Sequence, residues 1–367
     1  MTLLTGEKAA HFRRADAAGW KVAGTTSPNP PVGCVLVDPA DGGVIATGAT
    51  EPPGGAHAEI VALRRAGERA RGAHAYVTLE PCNHTGRTGP CAQALIEAHV
   101  AEVHYLFADP FRPAAGGGDR LRDAGVRVQG PYLDLRADGA DSADWSTSTG
   151  IYSVEAWLCS VLRGRPHVTL KLARTADGFI AASDGSSQWI TGPAARARVH
   201  ADRAHRDAIV VGAGTVCTDN PRLTARQPEG TPYPHQPLRV ALGRRNLPRE
   251  RYAMFQGPPE QSLHLRTHDI AEALAELWAR GVVDVLVEGG PTLIGAFLAA
   301  GIADRLQCYT APAVLGAGLP GVHNDPQHPT TMADIRRLHP RGLTALGPDV
   351  LFIATALTPI PTPPRKA

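Results

Sequence analysis

One histidine, two cysteines and one glutamate stand at spacings that favour a metal-dependent hydrolytic site. His57 and Glu59 open a predicted helix, Cys82 follows Pro81 after a predicted strand, and Cys91 opens the next helix. One imidazole and two thiolates supply three ligands of a tetrahedral zinc ion, and an open fourth position for water is typical of catalytic sites. From its place beside His57, Glu59 could carry protons between that water and a departing amine.

Two alternatives stay open for these residues. A structural zinc ion would need a fourth protein ligand, which His84 could supply, and the residues could also bind no metal. The pattern H-x-E followed by P-C-x-x-C is typical of zinc deaminases. Here eight residues separate the two cysteines, so the pattern is stretched.

Two segments near this site could bind an anionic or polar ligand. Residues 83–90, between the two cysteines, read NHTGRTGP, and glycines, hydroxyls and one arginine are typical of an anion-binding loop. An ordinary surface loop is the alternative. Asn29 lies between two prolines, so it is held rigidly and could present its amide to a ligand or simply form a turn.

A second group of residues indicates a nucleotide or phosphosugar cleft. Gly289 and Gly290 separate a predicted strand from a predicted helix, and Gly212 stands at a similar turn. Backbone N–H groups at such helix starts bind phosphates, although glycines at strand ends can also serve turn geometry alone. No G-x-G-x-x-G fingerprint is present. Lys171, one of four lysines, lies in a predicted strand and either faces solvent or places a cation in a cleft.

The elements that must position these residues alternate between strand and helix. Strands are predicted at 32–37, 75–79, 103–107, 167–173, 208–212, 238–242 and 282–287, and a helix is predicted at 58–71. This alternation predicts layered α/β architecture. A chain of 367 residues exceeds the roughly 100–200 of one domain. The polar stretch 134–150 is typical of a linker, so we predict domains at 1–147 and 148–367.

Composition excludes several classes of protein. With 43% hydrophobic and 20% charged residues, the chain is not mainly disordered. A net charge of +2 and 5% aromatic residues give no basic, stacking groove, which argues against a nucleic-acid deaminase. No apolar run of about 18 residues occurs, and six cysteines are too few for a disulfide scaffold. We therefore expect a cytoplasmic enzyme with a small-molecule substrate, no nucleic-acid partner and no membrane partner.

Long segments of both halves match one known family in order. The N-terminal match runs through SPNPPVGCVLVD, GGAHAEIVAL and VTLEPCNHTGRTGPCAQALIEAHV; the C-terminal match runs through RPHVTLKLARTADGFIA, SSQWITG, DAIVVGAGTVCTDNPRLTAR and VEGGPTLIGAFLAAGIADRLQCYTAPAVLG. The chain thus resembles, over nearly its whole length, the RibD family of bifunctional riboflavin-biosynthesis enzymes. This resemblance implies a cytidine-deaminase-like domain followed by a dihydrofolate-reductase-like domain.

The resemblance also implies two reactions. The N-terminal domain would deaminate 2,5-diamino-6-(5-phosphoribosylamino)pyrimidin-4(3H)-one, with Zn²⁺ bound by His57, Cys82 and Cys91 and with Glu59 as the proton carrier. The C-terminal domain would then reduce 5-amino-6-(5-phosphoribosylamino)uracil with NADPH. A paralogue that acts on a related pyrimidine ribose phosphate is the alternative, and a homodimer or homotetramer is the expected assembly.

The remaining site residues are assigned by their positions in the matching motifs and loops. NADPH contacts would fall on Arg174, Trp189, Thr215, Asp219, Gly290, Pro291, Thr292, Leu293, Ile294, Gly295 and Ala296. Substrate contacts of the reductase would fall on Lys171, Ser187, Arg203, Leu223, Arg226 and Glu288. Substrate contacts of the deaminase are predicted at Asn29, His84, Arg87 and Thr88.

Overall fold

A computed structural model describes residues 6–84, 89–133, 152–323 and 331–356. The described chain divides into two compact units. The N-terminal unit comprises residues 6–133 together with Tyr152–Gly164, and the C-terminal unit extends from Arg165 to residue 356. The predicted linker 134–150 and the predicted boundary between 147 and 148 lie outside the described residues, so the boundary stays a prediction.

The N-terminal unit is a five-stranded sheet with helices. Its elements are α1 (Gly6–Trp20), β1 (Gly33–Val37), β2 (Val44–Ala49), α2 (Ala58–Ala66), β3 (His74–Leu79), α3 (Cys91–Glu97), β4 (Glu102–Phe107), α4 (Gly117–Asp123), β5 (Arg127–Gln129) and α5 (Glu155–Arg163). The strand order is β2-β1-β3-β4-β5. Strand β1 runs antiparallel to β2 and β3, whereas β3, β4 and β5 are mutually parallel.

Two glycines let helices approach this sheet closely. A Cβ atom at Gly33 would lie 1.8 Å from the carbonyl oxygen of Ala15 in α1, and one at Gly48 would lie 2.1 Å from the carbonyl oxygen of Ala58 in α2. Since real Cβ contacts are longer than 3.0 Å, any side chain at either position would displace the helix. Gly48 therefore fixes the start of α2, the helix that carries the predicted proton carrier.

Helix α5 is tied to the N-terminal unit by polar contacts. The backbone N–H of Ser153 donates to Asp16 Oδ1 at 2.7 Å, and Trp157 Nε1 donates to the carbonyl oxygen of Pro28 at 3.1 Å. The second contact holds the proline-rich loop around Asn29. Helix α5 ends at Gly164, which adopts a left-handed conformation with φ of 65°.

The C-terminal unit is built on an eight-stranded sheet. Its elements are β6 (His167–Thr175), β7 (Phe179–Ala181), α6 (Pro193–Arg203), β8 (Ala208–Gly212), α7 (Ala213–Asp219), β9 (Leu238–Leu242), β10 (Ser262–Leu265), α8 (Ile270–Ala279), β11 (Asp284–Val287), α9 (Pro291–Ala299), β12 (Arg305–Ala311), β13 (Leu319–Pro320), β14 (Leu338–Leu346) and β15 (Asp349–Ala356). The order is β10-β9-β8-β11-β6-β12-β15-β14, and β7 pairs separately with β13. The first six strands are parallel, and β15 and β14 complete the sheet in antiparallel pairing.

The core of this unit lies between the parallel strands and their helices. Val168 and Leu170 of β6 are fully buried, as is Val285 of β11, and they belong to one apolar cluster with Leu277 of α8 and Phe297 of α9. Burial of each such side chain stabilises the fold by about 1.5–3 kcal/mol. Strands covered on both faces explain why the sequence shows continuous apolar runs here.

Adjacent strands β8 and β11 bring two helix starts to one edge of the sheet. Strand β8 ends at Gly212 and is followed at once by α7, while β11 ends at Val287 and leads through two glycines to α9. The two strands are parallel and paired, so their carboxyl ends meet at the same edge. Ligands of open α/β sheets bind at this edge.

The seven strands predicted from apolar runs are all present, each within two residues of its predicted bounds. The predicted helix at 58–71 ends earlier, at Ala66, because Gly67 adopts a φ of 56° outside the helical region. Helices α1, α7 and α8 and the β14–β15 hairpin are among the elements that were not predicted. Within the described part of the chain, no helix has the length and apolar character that crossing a membrane requires.

Candidate functional site

Three ligand atoms converge in the N-terminal unit. His57 Nδ1 lies 3.5 Å from Cys82 Sγ and 3.3 Å from Cys91 Sγ. Both cysteines are buried, and His57 is half-buried. One imidazole and two sulfur atoms are a donor set that zinc prefers, so the residues of this Cys–His cluster fit the predicted metal.

Helix starts position the Cys–His cluster. His57 is the N-cap of α2 with extended backbone (φ −73°, ψ 162°), and Cys91 is the first residue of α3. The Cys91 N–H donates to Cys82 Sγ at 3.4 Å, an interaction that favours the thiolate. His84 is not among the ligand atoms that converge here in the described chain, so the alternative with His84 as a fourth ligand gains no support.

The electrostatics around the Cys–His cluster set Glu59 apart. Its side chain is buried, and burial together with the charge of Cys82 raises the pKa of Glu59 to about 7. The hydrogen bond from Cys91, assisted by His57, lowers the pKa of Cys82 to about 4. A carboxyl group that titrates near neutral pH can both accept and release a proton, as a proton carrier must.

The turn that carries Cys82 is held by close packing from α4. A Cβ atom at Gly117 would lie 1.7 Å from the carbonyl oxygen of Pro81, so only glycine fits there. Glu80 accepts a hydrogen bond from the backbone N–H of Asp109 at 3.2 Å. Burial raises the pKa of Asp109 to about 7.

The predicted substrate contacts of this unit are only partly within the described residues. Asn29 is half-buried and follows the cis Ser27–Pro28 peptide; its N–H donates to the carbonyl oxygen of Thr26 at 2.8 Å. His84 is half-buried as well, and its Nδ1 has no hydrogen-bond partner within the described chain. Arg87 and Thr88 lie outside the described residues.

A cavity of about 1010 Å³, here called the C-terminal cleft, opens at the carboxyl edge of the second sheet. Eleven of the residues assigned from the resemblance line it: Lys171, Ser187, Trp189, Arg203, Thr215, Asp219, Leu223, Arg226, Glu288, Gly290 and Pro291. All belong to the C-terminal unit.

A buried carboxylate organises two cations in this cleft. Glu288 accepts from Arg203 Nε at 2.6 Å and from Arg203 Nη2 at 2.9 Å, and Lys171 Nζ lies 3.7 Å from it. Burial opposes ionisation, but the charges of Arg203 and Lys171 prevail and lower the pKa of Glu288 to about 2. The sequence left open whether Lys171 faces solvent or a cleft. Its side chain is 18% exposed and lines the cleft.

Arg226 contacts a histidine that was not predicted. His200 Nδ1 lies 3.0 Å from the carbonyl oxygen of Thr224, so it must donate, and His200 Nε2 is left to accept from Arg226 Nη2 at 3.4 Å. Burial and the charges of Arg203 and Arg226 lower the pKa of His200, which favours this neutral form.

The other side of the cleft fits a dinucleotide. Gly290 is the N-cap of α9, and a Cβ there would approach Thr215 Oγ1 to 3.7 Å, whereas a Cβ at Gly214 would meet nothing within 4 Å. Bare backbone at a helix start suits a phosphate. Trp189 is 69% exposed, and the guanidinium of Arg196 lies 4.5 Å from its ring centre, which offers a stacking surface with positive charge.

Some predicted residues are not brought to the cleft. Arg174 is absent from its lining, and its Nε donates to Thr310 Oγ1 at 3.4 Å. The positions from Thr292 to Ala296 lie within α9 and do not line the cleft either. Conversely, Arg196 and His200 line it and were missed. They precede Arg203 by seven and three residues, a helical spacing that places all three on one face of α6.

Family models match both halves of the chain. The description "RibD C-terminal domain" matches residues 166–352, and "Cytidine and deoxycytidylate deaminase zinc-binding region" matches residues 7–107.

Similar proteins cover most of the chain. The riboflavin biosynthesis protein RibD of Corynebacterium ammoniagenes is 51% identical over 314 residues, or 84% of this chain and 87% of that protein. The RibD of Mycobacterium tuberculosis is 45% identical over 337 residues, which cover 92% of this chain and 94% of that protein. Among solved structures, Acinetobacter baumannii RibD aligns with a TM-score of 0.80 at 33% identity, covering 96% of this chain and 99% of that chain. A deaminase/reductase of Thermotoga maritima aligns with a TM-score of 0.77 at 30% identity, covering 95% of this chain and 99% of that chain.

Proposed function

The chain belongs to the RibD family of bifunctional riboflavin-biosynthesis enzymes, and on that premise we propose which of its residues carry the two reactions. The protein is a zinc-dependent deaminase and an NADP-dependent reductase in one chain. The substrates that we propose are the diaminopyrimidinone ribose phosphate and, after its deamination, the corresponding uracil. The boundary that we propose between the two domains along the sequence is 147/148, whereas the compact units place Tyr152–Gly164 with the N-terminal residues.

In the deaminase, His57, Cys82 and Cys91 would hold the zinc ion. The ion supplies the Lewis acidity that makes water nucleophilic at neutral pH. Glu59 is the group that moves protons: it removes one from the attacking water and delivers one to the departing amine. Support comes from its burial and from a pKa near 7 beside the ligand set.

Substrate contacts in the deaminase are proposed at Asn29, His84, Arg87 and Thr88. The amide of Asn29, on a loop tied down by Trp157, would present a fixed donor and acceptor to the pyrimidine edge. An arginine and a hydroxyl in the loop between the cysteines suit the ribose phosphate.

In the reductase, NADPH supplies the reducing equivalent. Trp189, Thr215, Asp219 and the residues that begin α9 would hold it, and the contacts assigned to Arg174 and to positions 292–296 remain part of this proposal. Arg203 and Arg226 would bind the substrate phosphate, because planar guanidinium groups match a phosphate well. Lys171 and Glu288 would orient the ribose, with Ser187 and Leu223 completing the contact surface.

We also propose that the enzyme is cytoplasmic and that copies of the chain associate with one another. Leu343 of β14 and Val350 of β15 are exposed apolar side chains, 51% and 37% exposed, on the last two strands of the second sheet. An exposed apolar sheet end supports association between copies, so we propose a homodimer or homotetramer.

The observation that carries the proposal is the presence of both sites in one chain: a Cys–His cluster beside a buried glutamate, and a cleft with a Lys–Glu–Arg centre. The test supplies purified protein with the diaminopyrimidinone ribose phosphate. We expect ammonia release without NADPH, and NADPH oxidation only after deamination has occurred. Faster turnover of another pyrimidine ribose phosphate would favour the paralogue instead.

A further inference from the structure

A second group of potential ligands lies in the N-terminal unit near the starts of β3 and β4, whereas Cys82 follows the end of β3. Strands β3 and β4 are parallel, and their register pairs His74 with Glu102 and Tyr76 with His104. Because side chains alternate between faces, His74, Glu102 and His104 share one face of the sheet. We call these three residues the strand-face cluster.

The ligand atoms of the strand-face cluster converge. His104 Nε2 lies 3.4 Å from Glu102 Oε1, and His74 Nε2 lies 3.8 Å from Glu102 Oε2. All three ligand atoms lie within 4.8 Å of one another. The side chains of His104, Glu102 and His74 are 1%, 9% and 21% exposed, so the cluster is open on the side of His74.

The hydrogen bonds around the cluster determine where the proton of His104 lies. Lys8 Nζ donates to Gln129 Oε1 at 2.9 Å, which fixes the orientation of that amide, and Gln129 Nε2 donates to Glu102 Oε1 at 2.6 Å. The Tyr132 hydroxyl must then donate to Gln129 Oε1 at 2.8 Å. The Tyr132 oxygen is left to accept from Nδ1–H of His104 at 2.9 Å.

It follows that the lone pair of His104 Nε2 faces a carboxylate oxygen. Their separation of 3.4 Å is longer than a charge-assisted hydrogen bond. Two facing acceptors repel each other unless a proton or a metal ion lies between them. A proton on His104 would relieve the repulsion for that imidazole only, because a second imidazole nitrogen, Nε2 of His74, faces the same carboxylate.

We propose that the strand-face cluster is a second metal site, which binds a divalent cation of the Zn²⁺ type through His74, Glu102 and His104. Imidazole ligands select zinc-like ions over Mg²⁺ and Ca²⁺, which prefer oxygen donors. The Tyr132 hydroxyl acts as the outer partner of His104, as such partners commonly do for histidine ligands. The ion would link β3 to β4 and so stabilise the sheet.

Arg127 is the competitor of the metal ion. Its Nε and Nη2 lie 3.2 Å and 3.1 Å from Glu102 Oε2. The Arg127 side chain is 68% exposed, so it can leave the carboxylate at little cost. Removal of Arg127 should therefore strengthen metal binding.

The experiment starts from the holoenzyme with one zinc ion already bound per chain. We titrate this protein with Zn²⁺ by calorimetry and measure metal content after gel filtration. A second equivalent is expected. His74→Ala and Glu102→Gln should each weaken it by at least about tenfold, whereas Arg127→Gln should tighten it by about two- to fivefold. The matched control is His99→Asn, an exposed histidine with φ of 55°, which asparagine tolerates.

Spectroscopy provides a second readout that does not depend on activity. Co²⁺ in the strand-face cluster has only nitrogen and oxygen ligands, so it lacks the sulfur charge-transfer absorption expected from Co²⁺ in the Cys–His cluster. Absence of a second equivalent in the wild type would overturn the proposal. A second equivalent that persists unchanged in folded His74→Ala and Glu102→Gln proteins, or that shows sulfur absorption, would overturn it too.

Discussion

The Cys–His cluster and the C-terminal cleft solve the problem of positioning chemical groups in opposite ways. The functional residues of the first lie between residues 57 and 91 and are positioned by two helix starts and one turn. Those of the second come from β6, from α6, from the loop after α7 and from the segment that follows β11. A bound metal ion can hold thiolate and imidazole ligands that lie close together in sequence. Charged side chains from distant segments have no such ion and must be held by pairing with one another.

The charge states of the glutamates at the two sites also differ. Glu59 has a pKa near 7, so it can change its protonation during the reaction. Glu288 has a pKa near 2 and remains ionised as the permanent counterion of Arg203 and Lys171. The pKa of Glu59 therefore suits the proposed proton transfer, whereas that of Glu288 suits a fixed counterion.

The strongest test of this contrast replaces the titrating carboxyl. Glu59→Gln should lower the deamination rate by about 10²–10⁴-fold, because the amide keeps the shape but cannot carry a proton. Zinc content and the reduction rate should stay at wild-type levels, as should all activities of the exposed control Glu68→Gln. Deamination within about threefold of wild type would remove Glu59 from the mechanism.

Replacement of the counterion should affect stability first. Glu288→Gln leaves two partly buried cations without their partner, and the free energy of unfolding of the C-terminal unit should fall by about 3–5 kcal/mol. The folded-state pKa is lowered from 4.5 to about 2, so the stabilisation is complete above about pH 4.5 and is lost as the pH falls through 2. Denaturant unfolding at several pH values should therefore show a difference from wild type that shrinks below pH 4.5. A difference that grows on acidification would contradict this pairing.

A smaller effect is expected from the phosphate contact. Arg226→Ala should lower kcat/KM for reduction by about 10–100-fold, which is the loss expected when one hydrogen bond to a charged group is removed. Arg280→Ala, which removes an exposed arginine directly after α8, serves as the control. Steady-state assays of both half-reactions decide whether the two sites are independent, because a parallel loss of deamination would show that they are coupled.

The smallest expected effect concerns His200. His200→Leu removes the acceptor of Arg226 and should raise KM for the phosphorylated substrate by about three- to tenfold with little change in kcat. His200→Gln, which keeps an acceptor, should restore part of the affinity. Since the pKa of His200 is lowered, the wild-type KM should rise only on the acidic side of pH 6.5, where protonation removes the acceptor. Substrate phosphate titrates in both proteins, so identical pH profiles for wild type and His200→Leu would exclude this role.

The contrast between the two sites also explains what the sequence could predict. His57, Cys82 and Cys91 were predictable because helix starts and a strand end fix their directions over short distances. Arg174 shows how strand alternation could have sharpened an assignment. It is three residues from Lys171 on β6, so the two side chains lie on opposite faces, and only Lys171 lines the cleft.

Other features required the fold. The carboxylate that holds Lys171 in the cleft is Glu288, which directly follows β11 and is far away in sequence, and only the pairing of β6 with β11 brings the two together. His200 and Arg196 had a helical-spacing signal relative to Arg203, but the apolar residues of α6 are mostly alanines, so no stripe of large apolar side chains marked a buried face. The strand-face cluster depends on the register of β3 and β4, which no local pattern specifies.

The contact between Gly48 and α2 has a consequence for genetics. Because a Cβ at this position would lie 2.1 Å from the carbonyl oxygen of Ala58, every substitution must move the first turn of α2 and, with it, Glu59, the proposed proton carrier. In a saturation mutagenesis screen for riboflavin prototrophy, Gly48 would be as intolerant as a catalytic residue, although no side chain exists there to touch the substrate. Intolerance at this position reports the path of the backbone rather than chemistry.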